Sequence, residues 1–152
     1  CYEYTGNPEA ALSEYKNVIK IKNYFSHLTN LSSYEKALLD MDVSQTANSS
    51  GFLKLKRNRL SDAEYDFKEA IRLNSGNALA YSNLASIYFM EKKYDKALEY
   101  GETAAYLEPN DDLHVKNLIL IYEKMGDHKT AAELRNKSKV SFAVPPAERK
   151  NK

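Results

Sequence analysis

The sequence predicts an all-α protein built by stacking antiparallel helix pairs, and three observations carry that prediction. From Ala78 to Asp111, Tyr81, Leu84, Ala85 and Tyr88 recur at the spacing of one buried helical stripe. Beyond Glu91-Lys92-Lys93 a second stripe follows in Tyr94, Ala97, Leu98, Gly101, Ala104 and Ala105, mostly small, so another helix can approach closely. Ala63, Ala97 and Ala131 stand 34 residues apart, which makes the hairpin one copy of a repeat. Two helices this short cannot bury both stripes against each other, so the copies must cover one another.

Tyr81-x2-Leu84-Ala85-x2-Tyr88, followed by Ala97, Ala104 and Pro109, resembles the tetratricopeptide repeat. Tyr replaces the usual Trp, and Gly101 sits where a large residue is common. The resemblance implies a right-handed α-solenoid whose concave groove, lined by the first helix of each pair, holds a partner peptide or helix. The sequence holds no catalytic constellation, so a non-enzymatic protein–protein interaction scaffold with no cofactor is expected. Counted in that register, the groove takes Phe52, Leu79, Asn83, Ser86, Phe89, Met90, Lys116, Asn117, Leu120 and Lys124. The asparagines offer donor and acceptor to a peptide backbone, Phe89 and Met90 offer soft apolar contact, and the lysines meet acidic side chains. The competing reading has Phe89 and Leu120 packing only between helices and the asparagines solvated. A subclass of the family grips carboxylate-terminated tails with Lys, Asn and Arg. Here only Asn83 falls on that pattern, and Asn48, Phe52, Leu113 and Asn117 occupy the neighbouring positions, so no such clamp is expected.

In chain order, residues 1–23 read as the C-terminal part of a truncated repeat. Asn7 and Pro8 open its second helix, and Ala11 takes the signature alanine position. The step from Ala11 to Ala63 is 52 residues, so residues 24–43 are an irregular insertion of about half a repeat. Within it, Ser32 and Glu35 form a capping box opening a short helix near 33–42, with Tyr34, Ala37, Leu38 and Met41 on one face. Residues 44–77 form a repeat with a weak, polar first helix and a strong second one, for which Ser61 and Glu64 read as the cap. Residues 78–111 are the best-formed repeat and 112–140 the last. Ser141-Phe142-Ala143-Val144-Pro145-Pro146 cannot continue a helix, so 141–152 are an extended tail.

Composition narrows the function. Lys and Arg number 22 against 21 Asp and Glu, a balance that gives no bulk drive toward nucleic acid or an anionic membrane. No apolar run reaches the roughly 18 residues of a transmembrane helix. His27, His114 and His128 fall in different units without ligand spacing, so no metal site is expected, and no glycine-rich phosphate loop is present. Asp62 and Asp66, one turn apart with Lys68 nearby, read as a solvated face. Asn30, Asn48 and Asn136 stand in glycosylation acceptor patterns that this composition produces by chance.

Three alternatives stand beside the groove. Cys1, the lone cysteine, is either a lipid-modified residue left by signal-peptide cleavage or a start within a longer protein; the compartment is thus undetermined, cytoplasmic or exported. The chain could be a regulatory segment of a larger protein or lipoprotein. Or it could self-assemble into oligomers or fibres, stacking open repeat ends with Phe142, Val144 and Pro145 docking on a neighbour. Tyr100 and Tyr106 are candidates for a convex contact surface.

Overall fold

The computed structural model describes residues 8–28 and 32–137, and its elements are all helices. They are α1 (Pro8–Leu28), α2 (Ser33–Lys56), α3 (Leu60–Leu73), α4 (Ala78–Met90), α5 (Tyr94–Leu107), α6 (Asp112–Met125) and α7 (His128–Lys137). Cys1, Phe142, Val144 and Pro145 lie outside the described residues.

Three hairpins, α2/α3, α4/α5 and α6/α7, stack with a fixed contact pattern. The second helix of each pair touches the first helix of the next, as in α3·α4 and α5·α6, and first helices touch each other, as in α2·α4 and α4·α6. This makes an inner layer of α2, α4 and α6 and an outer layer of α3, α5 and α7. α1 packs against α2 as α3 packs against α4. Ala63, Ala97 and Ala131 are each the fourth residue of an outer helix and are at most 1% exposed, so three copies share one environment. Ala11 holds the same place in α1 and is buried too.

The hairpin turns repeat as well. Arg59, Lys93 and Asp127 each donate a backbone N–H back to the carbonyl five residues earlier, on Lys54, Tyr88 and Tyr122. The residue before each, Asn58, Lys92 and Gly126, is left-handed, with φ of 59°, 60° and 84°. This geometry ends one helix and sets where the next begins. It corrects the expected cap of α3: Arg59 is the N-cap, Ser61 lies inside the first turn, and Glu64 turns elsewhere.

The main core gathers Ala63, Phe67, Leu84, Ala85, Ile87, Tyr88, Ala97 and Ile121. Gly51 lets α2 lie against the Phe67 ring: a Cβ there would come within 2.7 Å of it. Tyr100 stacks on Tyr88 at 5.4 Å and meets Tyr81 at 6.1 Å, so it is core rather than convex surface. Tyr106, 84% exposed, does lie on the outside.

The largest departure is at 24–56. Residues 24–28 continue α1, and a single helix runs from Ser33 to Lys56 where an irregular stretch, a short helix and a separate weak helix were expected. The Ser32–Glu35 capping box forms at its start. No proline or glycine interrupts Ser33–Ser50, and Thr46 returns its hydroxyl to the Asp42 carbonyl, so nothing stops the helix. The polar residues that looked like weak helix are spent on neighbours: Ser44 donates to the Ala70 carbonyl at 2.8 Å and Ser50 to Asp66 Oδ2 at 2.6 Å. Asp66 is therefore not on a solvated face. It is buried within the α2/α3 hairpin, ion-paired with the equally buried Lys54.

Candidate functional site

The inner helices carry most of the large apolar side chains left in solvent. Phe52, Leu79, Met90, Leu113 and Leu120 are 42–51% exposed on α2, α4 and α6, whereas Tyr65 and Tyr106 are the exposed large hydrophobics of α3 and α5. The sequence of α4 contributes: its thirteen residues hold no charge, seven of them are buried, and Leu79 and Met90 are left in solvent. Between α4 and α6 the surface dips into a cavity of about 130 Å³ lined by Ala85, Ser86, Phe89, Met90, Asn117, Leu120 and Ile121. Five of the ten expected groove residues meet there: Ser86, Phe89, Met90, Asn117 and Leu120. Phe89 serves two surfaces, since its ring also meets Tyr94 edge-on at 5.7 Å and packs on the core.

The asparagines do what neither sequence reading foresaw. Asn83 Nδ2 donates to Asn48 Oδ1 at 2.9 Å, and Asn117 Nδ2 donates to Ser82 Oγ at 2.9 Å. Asn77 Nδ2 reaches Ser44 Oγ at 2.8 Å while its Oδ1 caps α4 at Ala80 N–H. The three amide donations each join an inner helix to the one before it, so a polar ladder laces α2 to α4 and α4 to α6. The signal was the recurrence of Asn83 at Asn117 and of Asn48 at Ser82, 34 residues on. Asn48, buried and bonded, is no glycosylation acceptor in the folded chain.

Phe52 on α2 and Leu79 on α4 are exposed, and Lys56 places its ammonium 4.7 Å from the Phe52 ring centre. Lys116 is half-buried and Lys124 exposed on α6. At the N-terminal ends of α4 and α6 a second, polar cleft of about 460 Å³ opens among residues such as Met41, Asn48, Asn77, Leu79, Glu108 and His114. Its rim holds a cluster that histidine spacing could not reveal: ligand atoms of Glu108, Asp111 and His114 lie within 4.8 Å of one another. Internal bonds account for the arrangement. Asp111 Oδ1 caps α6 at the N–H groups of Leu113 and His114, and His114 Nε2 lies 3.3 Å from Glu108 Oε2. His114 Nδ1 is buried with no hydrogen-bond partner among the described residues.

Two tyrosine–carboxylate bonds each join an inner helix to the outer helix before it. Tyr88 Oη donates to Glu64 Oε1 at 2.7 Å, and Lys68 Nζ donates to the same oxygen at 2.7 Å. The Lys68 ammonium, then the Tyr88 hydroxyl, hold Glu64 below the usual carboxylate range. Burial, then the Glu64 bond, pushes Tyr88 up to about 12. Tyr122, at the matching place one repeat later, donates to Glu102 at 2.6 Å and is likewise raised to about 12, first by burial.

Repeated helix pairs, an inner layer with an apolar cavity and an outer layer with small-residue contacts define the class: an α-solenoid of the kind that serves as a protein–protein interaction scaffold. Residues 78–111 match the family described as Tetratricopeptide repeat, and the helix pairs before and after that unit stack on it as an α-solenoid of the same fold. It is similar to the Sgt2 TPR domain from Aspergillus fumigatus, with 28% identity, a TM-score of 0.58 and 62% of each chain covered. MamA from Desulfovibrio magneticus RS-1 shares the fold at 21% identity and a TM-score of 0.59, over 88% of this chain and 85% of that one. Sperm-associated antigen 1 of Rattus norvegicus is 26% identical over 106 residues, which is 70% of this chain and 12% of that protein. The chain thus spans about an eighth of the curated relatives it matches. Among the described residues, no helix is long and apolar enough to cross a membrane.

Proposed function

We propose that this chain is a non-catalytic scaffold segment that holds an extended or helical segment of a partner protein in the groove formed by α2, α4 and α6. One observation carries the reading: Met90 and Leu120, 51% and 47% exposed, line an apolar cavity between α4 and α6, and Phe52, Leu79 and Leu113 are exposed on the same inner helices. Clustered exposed apolar surface of this kind marks interaction sites rather than ordinary surface. The test is to recover binders from a random-peptide display library and map them by amide chemical shifts. Perturbation of Leu79, Ser86, Met90 and Leu120 is expected. Perturbation centred on Tyr65 and Tyr106 of the outer layer would overturn the groove.

Self-assembly has its own supporting observation. Ile21 and Tyr24 of α1, and Tyr34, Leu38 and Met41 of α2, are 47–72% exposed, which leaves a second apolar surface where the sequence suggested packing. Sedimentation of the whole chain decides it: dimers or larger species that dissociate on Leu38→Glu support assembly, and a monodisperse monomer excludes it.

A further inference from the structure

Leu120, 47% exposed at the cavity mouth, lies midway between Lys116 and Lys124 on one stripe of α6. Residues four apart on a helix are separated by about 6 Å along its axis, so the two lysine positions bracket the apolar one by about 6 Å of helix on each side. Neither lysine makes an ion pair in the described structure: Asp112, one turn before Lys116, does not reach it, and Glu123 turns away to Arg135 on α7. Lys56 adds a third cation on another inner helix, α2, where it lies over Phe52. The uncharged α4 supplies no carboxylate to offset them.

Resting on the groove reading above, we infer that the partner segment is acidic and apolar: one large apolar side chain seated against Leu120 and Met90, flanked on both sides by carboxylates that meet Lys116 and Lys124. The spacing suits such a segment. Alternate side chains of an extended chain share a face and repeat at about 6.6 Å, giving acid-x-apolar-x-acid. A helical segment meets the same stripe with four-residue spacing. Complementary charge at a groove rim sets register and partner choice more than raw affinity.

The experiment sequences the peptides that a random-peptide display library yields on three forms of the chain: unaltered, Leu120→Glu, and Lys116→Glu with Lys124→Glu. All three substituted positions are wholly or partly exposed, and circular dichroism confirms that each form is folded. Peptides from the unaltered chain should carry Asp or Glu on both sides of a large apolar residue. They should bind the double charge reversal at least about tenfold more weakly. The reversed form should in turn select Lys and Arg flanks. Peptides that lose binding on Leu120→Glu but show no acidic flanks would overturn the charge assignment and leave the groove standing. Peptides indifferent to Leu120→Glu, or no enrichment at all, would overturn both.

Discussion

The side-chain amide of Asn83 on α4 donates to that of Asn48 on α2 at 2.9 Å, and 34 residues further on Asn117 repeats the bond to Ser82. Both asparagine amides therefore have a structural role between inner helices. Asn83→Ala and Asn117→Ala should each cost about 1 kcal/mol, the usual net value of such a bond. Urea unfolding would show it as a lower midpoint with an unchanged slope. Unaltered stability in both variants would mean that the ladder does not hold the inner helices together.

The Lys54–Asp66 pair, with Ser50 donating to the same carboxylate, lies buried between α2 and α3. Lys54→Met leaves a buried charge uncompensated and should cost about 3–5 kcal/mol. Removing both charges, as Lys54→Met with Asp66→Leu, should recover most of the loss, because the desolvation cost disappears with the pair. A double variant no better than the single would show that the pair does more than satisfy itself.

Two buried glycines should behave differently. At Gly51 a Cβ meets the Phe67 ring at 2.7 and 2.8 Å, and Phe67 is fully buried, so Gly51→Ala should lose about 1–3 kcal/mol. Phe67→Leu in the same chain should relieve part of that loss. At Gly101 the nearest atom is the flexible Ile121 Cδ1 at 3.1 Å. There the helix preference for Ala, about 1 kcal/mol, should leave Gly101→Ala neutral or stabilising. Thermal unfolding of the two variants gives the comparison directly.

Tyr88 and Tyr122 carry folded pKa values of about 12, above the ordinary 10, through burial and then the bonds to Glu64 and Glu102. A raised folded pKa means that between those values the folded chain holds protons the unfolded chain has lost. Their contribution to stability is thus complete below pH 10 and falls away as pH rises toward 12. Phenolate absorbance should show a late-titrating fraction that Tyr88→Phe and Tyr122→Phe remove one at a time. Thermal midpoints should fall less steeply above pH 10 in the doubly substituted chain. Glu64 works at the other end: its lowered pKa contributes stability above the ordinary carboxylate value that is lost as pH drops through the folded one.

Most of the α4–α7 half was legible because its signals are local. Alanines 34 residues apart, glycine and charge at the turns, and apolar stripes at helical spacing depend on a single helix's geometry. The α2 segment was less legible because Ser44, Asn48, Ser50 and Lys54 look unsuited to a buried helix until their partners on α3 and α4 are in view. Lys92 gave no hint of a left-handed backbone, since only its alignment with Asn58 and Gly126 reveals the shared turn.

The sequence by itself determined that helices pair, repeat and stack, because periodicity of burial is written residue by residue. Only the tertiary structure decided which polar groups join neighbouring helices and which face solvent. Asn83 and Asn117 became rungs between helices, Asp66 a buried partner of Lys54, and Glu108, Asp111 and His114 one cluster. Hydrogen bonds and ion pairs depend on distances of about 3 Å between residues far apart in the chain, and those distances exist only once the helices have docked.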